Sequence, residues 1–508
     1  MRRTQLRCTL ARKGASRMSS NPLPHLWRAG LAALLCGLLP AIALAFDTVR
    51  LDGRTFVSGG LVAVGRIPAN LRDKYGETFG SGSGLAIDPD AWTRAAEGYS
   101  GILYILPDRG YNVAGTTDYR ARLNVLRILL NPPHDPVALP VERRQQSLQA
   151  TLADTIMLTN GSGRPLTGLD PDGVREAASG LPDLPQAATG AVSIDTEAVV
   201  RMRDGTFFIA DEYGPYIYRF ASSGRMLSAI RPPDAFIPRR NGQESFSSNN
   251  PASGTAPPTP PDPEWGRANN QGFEGLSLTP DGRFLVAILQ SATRQDTGSD
   301  RRWRQNTRML YYDIADVEHP RLTREHVVVL PMFTSAEGTP QVAAQSELLA
   351  LDENHFLLLC RDGGNGYGTK GTTSVYRRIE LLDASKATDI AGSEFDRTLA
   401  VAPDGKLAQG IVPATLTSFI DLNDNAQLEK FGLHNGPLND RNNLSEKWEG
   451  MALAPALDPT HPRDFFFFVS NDNDFITQDG YQAGAPYKDP SGVEVDTMIL
   501  VYRLTLPD

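Results

Sequence analysis

The sequence predicts an all-β protein, and within that class a β-propeller of four-stranded blades. A phrase of two strands joined by a turn, the second strand ending in Asp, Asn or Gln, recurs five times. A whole four-stranded unit can also be traced between residues 276 and 332. Long amphipathic helices are absent from the sequence. Paired strands repeated along a chain are typical of radial repetition, as in a propeller. The copies of the phrase lie at 81–110, 195–214, 272–291, 346–362 and 448–474.

Strand signals follow one another along the chain. Each is a short run rich in β-branched or aromatic residues, and each is bounded by Gly, Pro, Asp or Asn. In chain order they are 48–51, 61–64, 102–106, 124–130, 153–158, 198–202, 207–210, 216–220, 276–279, 284–289, 309–314, 326–330, 348–351, 356–360, 375–382, 451–454, 465–470 and 498–506.

The number of blades follows from the five strand pairs and from the two ends of the chain. Terminal strands of propellers commonly complete one blade together, which removes an open edge. With one degenerate blade allowed, the sequence favours six blades, and five to seven remain open. The spacing between repeats is long for a blade, so loop insertions are expected, most clearly at 232–270 and 385–447.

Four copies of the phrase carry a glutamate at the head of the first strand: Glu197, Glu274, Glu347 and Glu449. Equivalent positions in a propeller face one axis, so the sequence predicts a ring of carboxylates. Such groups raise one another's pKa unless a cation compensates them. Hard oxygen ligands suit Ca²⁺, and we expect the ion to be bound by Glu197, Asp211, Glu212, Glu274 and Glu449. The alternative is that these side chains only accept backbone hydrogen bonds and join neighbouring blades.

The second strands deliver polar residues at their ends, among them Asp108, Asp211 and Asp362. Arg109 and Arg361 lie beside two of these aspartates, and guanidinium groups together with a metal ion can hold a phosphate. We therefore expect Asp108, Arg109 and Arg361 to be catalytic, with Asp108 acting as acid or base. The alternative is turn chemistry, because Asp-Gly and Asn-Asp pairs favour turns.

The N-terminus has the features of a secretory signal peptide over 1–45, followed by one domain over 46–508. A basic region precedes an apolar stretch at 31–45, which ends in a small-x-small cleavage site. The formal net charge of −9 becomes −16 when the seven Lys and Arg of this segment are removed, since it contains no Asp or Glu. An acidic mature protein is not expected to bind nucleic acid or an anionic membrane. Periplasmic or secreted localisation is predicted.

Four segments resemble the phytase-like family, whose description is esterase-like activity of phytase. They read PDRGYN at 107–112, DTEAVV with DGTFFIADEYGPYIYRF at 195–220, NQGFEGLSLTPDG at 270–282 and KWEGMALAP at 447–455. The resemblance implies an exported β-propeller that hydrolyses phosphate or other esters. The expected function is Ca²⁺-dependent hydrolysis of a small phosphate ester at the propeller funnel. A carboxyl esterase or lactonase, and a non-catalytic binding propeller, are the alternatives, and the oligomeric state is left open.

Overall fold

The computed structural model describes residues 47–297 and 301–507. The predicted signal peptide therefore lies outside the described residues. Five antiparallel sheets of four or five strands dominate this part of the chain, which confirms the all-β propeller. We number the five sheets blades 1 to 5, in the order in which their innermost strands occur.

The first three blades are simple antiparallel meanders in which each strand pairs with the next. Blade 1 consists of Gly84–Ile87, Gly98–Leu106, Arg122–Leu130 and Leu148–Met157, with the short Thr93–Ala95 beside its second strand. Blade 2 consists of Thr196–Arg201, Phe207–Asp211, Ile217–Phe220 and Met226–Ile230. Blade 3 consists of Phe273–Leu278, Phe284–Leu289, Asn306–Asp313 and Arg321–Val329.

Blade 4 is a fourth meander, whereas blade 5 combines both ends of the domain. Blade 4 consists of Ala344–Ala350, His355–Arg361, Arg377–Asp383 and Thr415–Asp421. From the axis outward, blade 5 consists of Lys447–Pro455, Asp464–Asp472, Thr497–Thr505, Arg54–Ile67 and Asp47–Leu51.

The ring closes with five blades, within the predicted range but one fewer than the number the sequence favours. The innermost strands neighbour one another in the order 1 to 5, and the innermost strand of blade 5 returns to that of blade 1. Arg54–Ile67 pairs with Thr497–Thr505, so the N-terminal strands join the C-terminal strand as predicted. No degenerate sixth blade exists in the described residues, because both termini are used in blade 5.

The hydrophobic core is divided among the five blade interfaces. Each interface buries aliphatic and aromatic side chains from the facing surfaces of two successive sheets, which suits runs such as 284–289 that are buried on both faces. Representative buried pairs across the interfaces are Leu123 with Ile209, Phe208 with Leu285, Ile288 with Leu358, Leu357 with Phe467, and Phe468 with Leu103.

Insertions of short elements connect the blades. The 232–270 insertion contains no long strand, as predicted, but it packs against blade 2 through the buried Phe236, Ile237 and Phe246. Short two-stranded ribbons pair Gly173–Arg175 with Leu184–Gln186, Arg239–Arg240 with Gln243–Glu244, Met332–Thr334 with Pro340–Val342, and Gly480–Gln482 with Ala485–Tyr487. The α-helices are single turns at Val141–Arg144, Arg294–Thr297 and Asn425–Leu428. The 3₁₀ turns are Pro136–Ala138, Asp234–Phe236, Arg301–Trp303, Glu394–Asp396, Pro403–Gly405 and Glu429–Phe431.

Candidate functional site

A one-residue irregularity recurs at the head of the innermost strand. The pairing with the second strand shifts by one residue in blades 2 to 5, as at a β-bulge. In blades 2, 3 and 5 the irregular step contains Glu197, Glu274 and Glu449, all buried. The bulge therefore re-aims the same side chain in three blades, which confirms the shared phase of these glutamates.

The fourth predicted glutamate, Glu347, does not belong to this set. In blade 4 the irregular step falls on Ser346. Glu347 comes after it and pairs with Leu359, so it is equivalent to Gly275 of blade 3, which pairs with Ile288. One oxygen of Glu347 accepts the N–H groups of Leu276 at 3.1 Å and of Leu348 at 2.8 Å. Glu347 thus joins blades 3 and 4, which is the alternative that the sequence left open.

The same register aligns the ends of the second strands. When the five blades are aligned by the pairing of their innermost and second strands, equivalent positions at the end of the second strand hold Asp108, Glu212, Gln290, Arg361 and Asp472. The sequence repeats placed Asp211, Asp362 and Asn471 at the strand ends of blades 2, 4 and 5, each one residue away from this position.

Asp211 lies one position earlier and closes a turn. Its carboxylate accepts the N–H groups of Asp195 at 2.9 Å, Tyr213 at 3.0 Å and Gly214 at 3.0 Å, and the hydroxyl of Tyr218 at 3.3 Å. Burial raises the pKa of Asp211 to about 7. With this many donors already bound, Asp211 is the least available of the five predicted metal ligands.

A first group of three carboxyls contains Asp195, Glu197 and Glu212. One oxygen from each lies within 4.8 Å of the others, and all three residues are buried. Glu212 Oε1 is buried without a hydrogen-bond partner among the described residues. Asp195 was not singled out by the sequence, although it stands two residues before Glu197 in the repeated phrase.

Glu274 and Glu449 adjoin this group. Each has one buried oxygen, Oε2, without a hydrogen-bond partner in the described part of the chain. Burial, followed by the charges of Glu212 and Glu449, raises the pKa of Glu274 well above its usual range. Burial, followed by the charge of Glu274, does the same to the pKa of Glu197. Burial and the nearby Asp195 raise the pKa of Glu212 to about 8.

A second group of three carboxyls contains Asp108, Asp472 and Asp474, again with oxygens within 4.8 Å of one another. Lys447 lies against it, with Nζ 2.9 Å from Asp472 Oδ2 and 2.7 Å from Asp474 Oδ1. Burial would lower the pKa of Lys447, but the surrounding carboxylates raise it well above its usual range. Burial and the charge of Asp472 raise the pKa of Asp108 well above its usual range. Sequence reasoning missed Lys447, which occurs in only one repeat.

The two predicted arginines lie at the same mouth, but each is bound to a carboxylate of the cluster. Arg109 Nη1 lies 2.8 Å from Asp195 Oδ2, and the guanidinium also donates to Asn270. Arg361 Nη2 lies 2.5 Å from Glu449 Oε1. Neither forms an ion pair with the strand-end aspartate beside it in sequence.

We define the mouth cluster as these eleven residues. It comprises eight acidic residues and three basic ones: Asp108, Asp195, Glu197, Glu212, Glu274, Glu449, Asp472, Asp474, Arg109, Arg361 and Lys447. The excess of carboxyls over cations is the dominant electrostatic property of the mouth. An environment of this kind favours a bound cation or protonation of the acids.

The model of one protein family matches residues 77–475 of the chain. The family is called phytase-like and is described by the words esterase-like activity of phytase. The chain belongs to this family. The match extends from before Asp108 to just after Asp474, and so includes every residue of the mouth cluster.

The phytase-like chain is also similar to a curated protein of Arthroderma benhamiae, described as an uncharacterized secreted protein. The two are 41% identical over 463 residues, which cover 85% of this chain and 90% of that protein. In residues 47–297 and 301–507, no helix has the length and apolar character needed to cross a membrane.

Solved structures show more distant similarity to the phytase-like domain. A putative 6-phosphogluconolactonase from Bacteroides uniformis is 12% identical with a TM-score of 0.28, covering 89% of this chain and 94% of that one. A gluconolactonase from Xanthomonas campestris is 9% identical with a TM-score of 0.24, covering 91% and 95%. At TM-scores this low, the likenesses carry no argument about function.

Proposed function

We propose that the phytase-like domain is a Ca²⁺-dependent hydrolase of phosphate esters that acts at the mouth cluster. The observation that carries the proposal is the group of Asp195, Glu197 and Glu212, in which buried carboxyl oxygens approach one another and Glu212 Oε1 has no partner in the described chain. Burying unpaired carboxylates is costly unless a proton or a cation compensates them. Family membership supports ester hydrolysis, and the secreted relative supports export.

The donor set suits Ca²⁺ better than a transition metal. Asp195, Glu197 and Glu212 would hold the ion, and Glu274 offers a further free oxygen nearby. All of these ligands are hard oxygens, and neither of the two three-residue groups of acids contains a histidine or cysteine. When bound, Ca²⁺ would supply Lewis acidity toward an ester oxygen.

Asp108 is suited to the role of general acid. Burial and the charge of Asp472 raise its pKa well above the usual range, which favours the protonated form, and a protonated acid can donate to a leaving alkoxide. Ser81 Oγ at 3.3 Å and the N–H of Gly110 at 3.1 Å hold one carboxyl oxygen, Oδ1, and thereby fix the orientation of the group. Both donors belong to blade 1 and its connections, so Asp108 is positioned independently of the group containing Glu212.

Three cations would contact the anionic part of the substrate. Lys447 is the most accessible, with 27% of its side chain exposed against 11% for Arg109 and 12% for Arg361. A lysine ammonium binds phosphate as a point charge, while an arginine can do so through two parallel hydrogen bonds. Lys447 would therefore make the first contact at the entrance.

A neutral carboxyl ester or lactone is the second candidate substrate. The observation that favours it is the pairing of Arg109 with Asp195 and of Arg361 with Glu449, which leaves both guanidinium groups already neutralised. A mouth with an excess of carboxyls repels a phosphate more than it repels an uncharged ester.

The test combines thermal melting with hydrolysis assays of the exported chain. Protein stripped with EDTA is melted with and without millimolar Ca²⁺, and is assayed on p-nitrophenyl phosphate, p-nitrophenyl acetate and gluconolactone. We expect Ca²⁺ to raise the melting temperature, because a ligand that binds only the folded state stabilises it. Ca²⁺ should also restore phosphate ester hydrolysis lost in EDTA.

Glu274→Gln tests the site itself. This variant should show a smaller Ca²⁺-induced rise in melting temperature, while Glu97→Gln, an exposed glutamate in a turn of blade 1, should respond like the wild type. Hydrolysis of the acetate or lactone without the phosphate would establish the second candidate instead. Absence of any Ca²⁺ effect on melting, together with absence of turnover, would show that the carboxyls only join blades.

A further inference from the structure

A cavity opens beside blade 1, at a place separate from the mouth cluster. It has a volume of about 610 Å³, and its wall includes Tyr75, Tyr481, Asp118, Arg120 and Arg122. A volume of this size lies in the range of small-molecule sites, about 300–1,000 Å³. None of the residues in its wall belongs to the mouth cluster.

Two partly exposed tyrosines line the cavity. Tyr75 is 49% exposed and Tyr481 is 37% exposed, so both keep aromatic area that a ligand can contact. A tyrosine ring offers an apolar face for stacking and a hydroxyl for hydrogen bonding. Two such rings at one cavity suit a ligand that is itself flat on one face and polar at its edges.

The aromatic platform is held in place by a buried ionic network. The guanidinium of Arg122 lies 5.8 Å from the ring centroid of Tyr75 and forms ion pairs with Asp73 and Glu77. The N–H of Tyr75 donates to Asp73 Oδ1 at 2.8 Å. One face of the Tyr75 ring is therefore covered by Arg122, which leaves the other face for a ligand.

The backbone of Tyr481 is held by hydrogen bonds to Thr78. The N–H of Thr78 donates to the carbonyl of Tyr481 at 2.8 Å, and the N–H of Tyr481 donates to Thr78 Oγ1 at 2.9 Å. The N–H of Ala483 donates to Glu77 Oε1 at 2.8 Å. The ribbon that carries Tyr481 is thus hydrogen-bonded to the segment that carries Tyr75.

An exposed acid and an exposed base complete the wall. Asp118 and Arg120 flank the buried Tyr119, so both side chains leave the same side of the extended segment. Asp118 Oδ1 accepts a hydrogen bond from Thr167 at 2.8 Å, which leaves Oδ2 for a ligand. The guanidinium of Arg120 has no acceptor or ion-pair partner among the described residues.

We propose that this cavity is a binding site for a neutral saccharide. A carboxylate beside a guanidinium accepts and donates hydrogen bonds to adjacent hydroxyl groups, and tyrosine rings stack on the apolar face of a pyranose. The charges in the wall balance, with Glu77 and Asp118 against Arg120 and Arg122, so an ionic ligand gains little there. The site does not depend on Ca²⁺ or on turnover at the mouth cluster.

The position of the cavity links it to the mouth without merging the two. Tyr119 separates them: Arg122 lies 4.5 Å from the centroid of its ring, and an added Cβ at Gly110 would meet Tyr119 Cγ at 2.6 Å. Gly110 is two residues from Asp108. A saccharide in the cavity would therefore lie on the same face of the propeller as the mouth, one side chain away from Asp108.

The test is saturation-transfer NMR with four neutral tetrasaccharides: cellotetraose, maltotetraose, xylotetraose and mannotetraose. The mature chain is used in EDTA, so that binding is measured apart from any calcium-dependent activity. We expect at least one of the four to bind at millimolar concentration. Tyr481→Ala and Arg120→Ala should each weaken that binding about tenfold, since about 1.4 kcal/mol of lost contact is a factor of ten.

Two controls separate this site from the rest of the molecule. Arg203→Ala removes an exposed arginine from the turn of blade 2 on the opposite face and should leave binding unchanged. Glu274→Gln alters the mouth and should also leave it unchanged. The inference is overturned if none of the four saccharides binds, or if binding persists at full strength in both Tyr481→Ala and Arg120→Ala.

Discussion

Arg361 shows how one residue can combine a buried ion pair with a place at the mouth. Its guanidinium lies against Glu449 Oε1, and both side chains are nearly excluded from solvent. Removing one partner of a buried pair leaves an uncompensated charge, which typically costs about 3–5 kcal/mol. At this site the remaining carboxylate would also stand beside Glu274 in an already acidic cluster.

We therefore expect Arg361→Met to lower the free energy of unfolding by about 3–5 kcal/mol. The double variant Arg361→Met/Glu449→Gln should recover most of the loss, because it removes the unpaired charge as well. Arg397→Met breaks an exposed pair with Glu394 and should change stability by about 0–1 kcal/mol. Urea denaturation in EDTA measures all three. If the double variant is as unstable as Arg361→Met alone, unpaired charge is not the cause.

For single residues, the sequence predicted which types of side chain meet at the mouth. It did not predict which of these side chains contact one another. Glu197, Glu274 and Glu449 could be found because the repeated phrase places them in one phase. Lys447 and Asp195 could not, because neither residue type recurs at that position in the other copies. The pairing of Arg109 with Asp195 depends on a contact between blades 1 and 2, which no local spacing encodes.

Among the elements, the innermost strands of blades 3 and 4 approach each other closely at Gly275. Gly275 pairs with Ile288, and a Cβ placed on it would meet the Leu348 nitrogen of blade 4 at 2.8 Å and the Ile288 Cγ2 at 2.8 Å. Blade 4 carries Glu347 in this register position, and its carboxylate accepts the N–H of Leu276, the residue after Gly275.

Gly275→Ala should therefore push the innermost strands of blades 3 and 4 apart. Overpacking of this kind costs about 1–3 kcal/mol, which we expect as a lower melting temperature. Gly161→Ala is the matched control, because nothing lies within 4 Å of an added Cβ at that glycine. Equal melting temperatures for the two variants would contradict the close approach of the strands.

The sequence predicted these elements unevenly. Inner strands such as Phe284–Leu289 were evident, because they are buried on both faces and strongly apolar. The outermost strands Met226–Ile230 and Thr415–Asp421 gave no strand signal, since they are partly exposed and their side chains are mixed. The bulges at the strand heads also could not be predicted, because they appear only when two strands are paired.

For the whole molecule, the sequence predicted the architecture but favoured one blade too many. The long spacing between repeats was compatible with a degenerate sixth blade. In the structure, two-stranded ribbons, single helical turns and loops occupy those intervals, while both termini are used in blade 5. A closed ring brings five distant segments of the chain to one axis, and that is why eight acidic residues can meet there.

The concentration of carboxyls at the axis should make the stability of the metal-free protein depend on pH. Burial and Asp195 raise the pKa of Glu212 to about 8, and burial raises the pKa of Asp474 to about 6. A carboxyl whose pKa is higher in the folded state binds its proton more tightly there, so folding is favoured while the proton is retained. That contribution is complete below the unfolded pKa, near 4.5 for a glutamate, and is lost as pH rises through the folded value.

In EDTA, we therefore expect the free energy of unfolding to fall between pH 4.5 and pH 8, as measured by urea denaturation at intervals across this range. Glu212→Gln should flatten the upper part of the curve, since it removes the group that titrates near pH 8. Saturating Ca²⁺ should abolish this fall, because carboxyl oxygens that hold the cation no longer bind the protons whose loss causes it. A curve that is flat in EDTA, or identical in wild type and Glu212→Gln, would show that these acids are not protonated at the axis. The calcium titration then distinguishes the two ways of balancing the charge: loss of the slope at high calcium requires a cation site, whereas protonation alone leaves the slope negative at every calcium concentration.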